Sequence, residues 1–355
     1  MEQITLYYRE GSSDKVYQAS ITPKGGGFVV HFAYGRRGAT LQTGTKTQAP
    51  VRYDQAKKIF DKLVAEKTAK GYTSGEDGTP YQHTDKEQQN TGILPQLLNP
   101  IEEDQVESVI NDDCYVSQEK FDGRRLIIRK LGASIDAINR KGLLCGLPSP
   151  VLLEVRQIPG DCIIDGEAIG DVFWTFDILW IHGTDMRPRP YRDRLFALVQ
   201  IVSPEFGFLK LADTARTTVE KLALLDRMKR EKREGVVFKR LDAPYTPGRP
   251  NSGGSQFKYK LYATASFIVN KVNGKRSVSL MLFDGHKVVP AGNVTIPPNH
   301  DVPGVGAVEE VRYLYCFRSG SIYQPIFLGK RTDITAEECT VAQLKYKAEV
   351  ETIAA

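Results

Sequence analysis

Residues 74–92, SGEDGTPYQHTDKEQQNTG, constrain the architecture most. The stretch is polar, rich in turn formers and nearly free of large apolar side chains. It cannot bury enough apolar surface to offset the entropy of ordering itself. A chain interrupted in this way is not expected to close around one core. It is expected to carry a small N-terminal domain (1–75), a linker (76–92) and larger domains beyond. A length of 355 residues leaves room for two or three domains at about 100–200 residues each.

Before the linker, ITLYYRE, KVYQASI and GFVVHFAYG are β-branched and aromatic runs separated by turn chemistry, and they predict short strands. Residues 52–70 then switch to helical spacing. Ala56, Ile59, Phe60, Leu63 and Val64 share one face, and Gly71 ends the helix. Residues 1–75 hold twelve Lys or Arg against six Asp or Glu. The whole chain has a formal net charge of only +5, so the positive excess is concentrated in this segment, where it permits nucleic-acid binding.

Beyond the linker, residues 93–260 alternate strand-like runs (RRLIIRKL, CIIDGEAIG, VFWTFDILWI, GVVFKRL) with helix-like ones (VLLEVRQI, RPYRDRLFALVQIV, TARTTVEKLALLDRMKREK). Residues 261–355 are dominated by five short strands, from TASFIVNKVN to YQPIFLG, a pattern that fits a small barrel such as an OB-fold. The expected class is therefore α+β and multi-domain, with much antiparallel sheet. No run is long and apolar enough for a membrane span, and no basic region followed by an apolar stretch marks a secretory leader. Five scattered cysteines without a CxxC pair read as reduced thiols of an intracellular, cytoplasmic protein, nucleoid-associated if bacterial, and a monomer is expected.

The chemistry is carried by an ordered set of short motifs. Gln118-Glu119-Lys120-Phe121-Asp122-Gly123-Arg124-Arg125 leads a lysine into a turn. Asn139-Arg140-Lys141-Gly142, Asp165-Gly166-Glu167, Phe173 to Leu179, Glu234 to Lys239 and Gln256 to Lys260 follow. Each alone is an ordinary charged turn or strand edge. Together they suit nucleotidyl transfer to a lysine. The nucleophile must be a neutral amine, although a free lysine has a pKa of about 10.4. Lys258 and Lys260, at i and i+2 on one side of a strand, can supply a positive field that lowers it and neutralises a triphosphate. Glu167 and Glu234 are hard oxygen ligands for Mg²⁺, with Mn²⁺ as an alternative. Phe176 offers a flat face to a purine.

These motifs, KFDGRR, NRKG, IDGE, TFDIL, EGVVFK and QFKYK in this order, resemble the covalent nucleotidyltransferase superfamily of ATP-dependent DNA ligases, RNA ligases and mRNA capping enzymes, over about residues 93–333. The resemblance implies that Lys120 is the nucleophile and carries AMP. It implies that Asp122 organises the pocket, that Arg125 and Arg140 meet ribose or phosphate, and that Glu167 and Glu234 serve ribose and metal. Phe176 becomes the stacking aromatic, and Lys258 and Lys260 the catalytic lysines at the α-phosphate. Gln118 stands where the family commonly has Glu, beside Glu119, and is left to accept from the adenine amino group through its carbonyl. YQPIFLGKRTDI looks like the family's R-x-D-K motif, with Arg331 and Asp333 kept, Ile334 in place of the lysine and Lys330 nearby.

The N-terminal segment resembles a WGR domain, through Tyr34-Gly35-Arg36-Arg37-Gly38 and the helix that follows, with Tyr34 in the tryptophan position. Tyr34 can stack on a sugar or base, while Arg36 and Arg37 meet phosphate. The implied function is ATP-dependent sealing of 3′-hydroxyl/5′-phosphate breaks in duplex DNA. An RNA ligase, or one for RNA-containing breaks, is the near alternative. A non-catalytic binder of nucleic-acid ends is the alternative of another class. The nucleotide pocket is expected to lie wholly downstream of the linker, leaving the N-terminal domain dispensable for lysine adenylation.

Overall fold

The computed structural model describes residues 2–10, 13–37, 39–68, 70, 72–74, 81–82, 89–249 and 254–348. Gly38 and Gly71, and most of the stretch expected to be a linker, lie outside them. The chain divides into two units, Met1–Leu224 with Val236–Tyr259, and Leu225–Gly235 with Lys260–Ala355.

The first unit begins with the runs before residue 50. They form β1 (Glu2–Glu10), β2 (Ser13–Lys24), β3 (Gly27–Arg36) and β4 (Gln42–Thr45), followed by α1 (Tyr53–Thr68) and β5 (Thr73–Ser74). The strands make one antiparallel sheet in the order β4-β3-β2-β1-β5. Alternation puts Leu6, Tyr17, Ala19, Ile21 and Val30 into a core that α1 closes with Ala56, Phe60 and Leu63.

The stretch expected to be a linker is partly structured. Tyr81–Gln82 (β6) pairs with a later strand, and Asn90 bridges Leu143 while Thr91 N donates to Gly142 O. Backbone pairing compensates there for the lack of apolar side chains, and sequence hydropathy does not register it.

Next come β7 (Asn99–Pro100), α2 (Glu103–Ile110), β8 (Tyr115–Glu119), β9 (Arg124–Leu131), β10 (Ser134–Asn139), β11 (Leu144–Cys145), β12 (Leu147–Pro148) and α3 (Ser149–Gln157). Helix α2, which the sequence reading missed, is only eight residues long and buries just Val106 and Ile110. Then follow β13 (Cys162–Ile169), β14 (Val172–Ile181), β15 (Thr184–Asp185), α4 (Tyr191–Ile201), β16 (Leu209–Leu211), β17 (Thr214–Ala215), α5 (Thr218–Arg230), β18 (Gly235–Arg240) and β19 (Gln256–Lys260).

Two sheets result. One has the order β11-β10-β9-β13-β14-β15, with β16 parallel to β14. The other runs β17-β8-β18-β19-β7. A core of Leu126, Ile128, Ile164, Phe173 and Ile178 from the first sheet packs with Val151 and Val155 of α3 and Leu198 of α4.

In the second unit, β20 (Ala263–Asn273), β21 (Ser277–Asp284), β22 (Lys287–Thr295), β23 (Val308–Tyr313) and, after the short pair β24 (Tyr315–Cys316) and β25 (Ile322–Tyr323), β26 (Ile326–Lys330) appear. The long strands pair antiparallel in the order β22-β21-β20-β23-β26 around Phe267, Leu280, Val294 and Tyr313. No helix among the described residues is long and apolar enough to cross a membrane.

Candidate active site

The geometry of the site starts from an irregularity between β13 and β14. Asp165 pairs with Asp177, but the next residue, Gly166, pairs with Thr175, so Phe176 is an extra residue without a partner on β13. Such a bulge re-aims a side chain, and here Phe176 lines a cavity of about 650 Å³. Gly166 is required beside it, because a Cβ there would come within 2.4 Å of Trp174 O and 2.5 Å of Phe173 Cζ.

A bulge also takes its backbone carbonyl out of the ladder, and a buried carbonyl must be satisfied elsewhere. The Tyr191 hydroxyl donates to Phe176 O at 2.9 Å and Lys239 Nζ donates to it at 3.2 Å. Lys239 is buried, with its ammonium 4.1 Å from the Phe176 ring centroid. Burial draws that ammonium down to about 7; Asp177 opposes the shift and Arg125 adds to it.

Arg125, at the start of β9, lies with its guanidinium carbon 4.4 Å from the same ring centroid. It is held bidentately by Asp165, Nε to Oδ1 and Nη2 to Oδ2, both at 2.7 Å. Asp165 is fully buried and also accepts from the Tyr245 hydroxyl at 2.7 Å. A second buried pair stands beside it. Arg194 Nε meets Asp177 Oδ1 at 2.7 Å, and Arg194 Nη1 donates to Arg189 O and Ala243 O.

Lys120 and Glu119 enter the cavity from the end of β8, and Arg140 and Lys141 from the turn after β10. That turn is fixed by Asn139 Oδ1, which accepts from Lys141 N at 2.8 Å and Leu143 N at 3.2 Å, and by Gly142 at φ +78°. Glu167 comes from β13, Lys239 from β18 and Lys258 from β19. Gly123 closes the lysine turn against β13, where a Cβ would lie 2.3 Å from Ala168 O. Eight Lys or Arg and two Glu line the cavity. That imbalance selects an anionic ligand, and it leaves one or two carboxylates of the kind that hold Mg²⁺ together with phosphate oxygens. Among the described residues no cluster of three or more His, Cys, Asp or Glu could hold a metal unaided.

The cavity thus gathers Lys120, Glu119, Arg125, Arg140, Glu167, Phe176 and Lys258. Gln118 and Asp122 do not line it. Gln118 is buried and donates through Nε2 to Thr214 Oγ1 at 2.8 Å and to the Tyr191 hydroxyl at 3.1 Å. Its Oε1 has no hydrogen-bond partner among the described residues.

Glu234, Lys260 and Arg331 belong to the second unit. There Lys260 Nζ lies 3.1 Å from Glu234 Oε1 and 2.7 Å from Gln324 Oε1. Arg331 binds Asp333 through Nε at 2.7 Å and Nη2 at 2.6 Å, and that guanidinium draws the Asp333 carboxyl down to about 2. Ile334, in place of the motif lysine, packs against the apolar core of that unit.

Tyr34 is 43 % exposed, and its ring stacks at 6.2 Å on buried Tyr17. Arg36 is half-buried. Arg37 is engaged within its own domain, by Asp14 at 3.1 Å and over the Tyr7 ring at 4.3 Å.

Sequence reasoning missed Asp165, Lys239 and Tyr245, and it missed three lining residues from before the linker: Thr40, Gln42 and Thr43. The expectation of a wholly downstream pocket is therefore wrong. Asp165 and Lys239 stood inside quoted motifs, and a charged residue embedded in an apolar strand was the signal available for both.

Comparison with known proteins places domains on this frame. Residues 2–79 match the WGR domain model, and residues 169–260 match that of the ATP dependent DNA ligase domain; neither span contains Lys120. The SPbeta prophage-derived DNA ligase-like protein LigB of Bacillus subtilis (strain 168) is 25% identical over 177 residues, covering 43% of this chain and 62% of that protein. The multifunctional non-homologous end joining protein LigD of Mycolicibacterium smegmatis is 31% identical over 286 residues, 63% of this chain and 37% of that protein. The chain thus spans less than two thirds of the length of either relative. A Lig E DNA ligase, solved in a study of DNA binding with a minimal scaffold, aligns with TM-score 0.51 and 18% identity over 67% of this chain and 99% of that one, a likeness of fold.

Proposed function

We infer that this chain, which carries a WGR domain followed by an ATP-dependent DNA ligase domain, is an ATP-dependent DNA ligase that seals 3′-hydroxyl/5′-phosphate breaks through a lysyl-AMP at Lys120. The observation that carries this reading is the placement of Lys120 in one strongly basic cavity with Glu167, Phe176, Arg140 and Lys258.

In the first step the neutral Lys120 amine attacks the α-phosphorus of ATP. A P–N bond forms, the P–O bond to pyrophosphate breaks, and the amine proton passes to solvent. Lys258 and Arg140 offset the charge of the phosphates, and a Mg²⁺ at Glu167 would do the same for the departing pyrophosphate. In the second step a 5′-phosphate oxygen takes the adenylyl group, and Lys120 leaves as an amine. In the third the 3′-hydroxyl attacks the activated 5′-phosphate and AMP leaves. Positioning and charge neutralisation are the main requirements throughout. The purine would stack on Phe176, which Arg125 and Asp165 hold in place.

The site roles of Gln118, Asp122, Glu234, Lys260 and Arg331 belong to the same reading. Gln118 Oε1 is a buried acceptor suited to the adenine amino group. Glu234, Lys260 and Arg331, which belong to the second unit, keep their proposed roles toward metal and phosphate, with Arg331 serving pyrophosphate. Tyr34 and Arg36 would meet duplex DNA at the break, with Arg37 beside them. We divide the chain at 1–75, 76–92, 93–260 and 261–355, and read the last part as an OB-fold. Five antiparallel strands in the order β22-β21-β20-β23-β26 support that reading. The protein would act as a monomer on DNA in the cell.

The test is sealing of matched nicked duplexes with DNA or RNA on each side of the break, supplied with ATP or NAD. The expected result is sealing of the all-DNA nick with ATP and Mg²⁺, and none with NAD or excess chelator. Preference for RNA on either side would move the assignment to an RNA ligase. Binding of nicks without sealing of any would leave a scaffold.

A further inference from the structure

A domain that merely tethers DNA would be expected to keep clear of the nucleotide pocket, yet the segment between β3 and β4 forms part of it. Thr40, Gln42 and Thr43 line the same cavity as Lys120. Three bonds fix that segment on the catalytic domain, and two of them involve a cavity residue or its immediate neighbour there. Thr40 Oγ1 donates to Ala168 O at 2.7 Å, next to Glu167. Arg124, next to Arg125, donates through Nη1 to Leu41 O. Thr43 Oγ1 accepts from Gly146 N at 2.8 Å in a buried bond. Within the N-terminal sheet Gln42 pairs with Tyr34, and the Tyr34 hydroxyl donates to Gln42 Oε1 at 3.1 Å.

We propose that residues 40–43 of the N-terminal domain are a wall of the ATP site and bind the nucleotide directly, so that lysine adenylation depends on the WGR domain. This rests on the reading of Lys120 as the adenylated lysine. The cations of the cavity come from the catalytic domain, whereas the N-terminal wall is neutral and hydrogen-bonding, with one carboxamide and two hydroxyls. Such groups suit the ribose hydroxyls and phosphate oxygens of a nucleoside triphosphate, where neutral donors add orientation to charge. Tyr34 holds Gln42 by its oxygen, which turns the amide nitrogen away from Tyr34 and makes it the group to meet the nucleotide. The aromatic residue of the DNA-binding turn is thereby one hydrogen bond from the ATP pocket.

The experiment uses the full chain and the variants Gln42→Ala, Thr40→Val and Tyr34→Phe. Lysine adenylation is measured against ATP concentration, and sealing is measured on pre-adenylated nicks. Losing one hydrogen bond to the nucleotide, or the bond that holds its donor, raises the KM for ATP by roughly three- to tenfold. Sealing of pre-adenylated nicks, where no triphosphate is bound, falls by less than that. Tyr34→Phe keeps the ring and cannot fail through lost packing, so it guards against a misfolded Gln42 or Thr40 variant. A KM for ATP within twofold of wild type in all three variants overturns the proposal, whether sealing falls or not. Absence of ATP labelling in the wild-type chain would instead refute the reading of Lys120.

Discussion

Lys120→Ala is expected to remove AMP labelling by ATP altogether and to lower sealing of 5′-phosphate nicks by on the order of 10³-fold or more. Lys120 brings a primary amine from the end of β8 into the cavity that Glu167 and Phe176 also line. Lys239 is buried under the Phe176 ring and committed to Phe176 O. Lys258 reaches the cavity from β19, and the proposed reading gives its charge to phosphate. Pre-adenylated nicks bypass the need for a nucleophile, so the variant should retain sealing on them. Full ATP-dependent sealing by the variant would show that another residue forms the intermediate.

Arg194→Ala is expected to have the largest effect on stability, a loss of about 3–5 kcal/mol. Arg194 is fully buried, bidentate to Asp177 and bonded to two backbone carbonyls. Removing it strands a buried carboxylate, to which Ile178 N still donates at 2.9 Å, and leaves both carbonyls without this donor. Arg194→Lys should recover little, because an ammonium cannot reproduce the planar fork. Urea unfolding of the variants is the measurement. An unchanged midpoint for Arg194→Ala would mean that the pair is not buried in solution.

These residues mark what could be read from sequence and what could not. The lysine turn, the NRKG hairpin and the lysine of QFKYK that lines the cavity were legible, because each is a local pattern of turn and strand chemistry. Helix α1 was legible from the spacing of Ala56, Phe60 and Leu63. Asp165 and Lys239 were not, since their importance comes from partners forty and sixty-three residues away, Arg125 and Phe176. The bulge that aims Phe176 was equally hidden, being a matter of register between two strands. The docking of the N-terminal domain left almost no trace. Two of its three bonds end on main-chain carbonyls, Ala168 O and Leu41 O, which any residue would supply. Ile334 read as a defect in a charged motif, but its packing against the second unit's core gives the apolar side chain a purpose.

Lys120 is the residue proposed to carry AMP. Incubating the full chain with ATP and Mg²⁺, digesting it and locating the adduct by mass spectrometry addresses this most directly. The expected result is one AMP per chain, on the peptide containing Lys120, and loss of that adduct when pyrophosphate is added back. AMP found on Lys239 or Lys258, or no adduct at all, would contradict it.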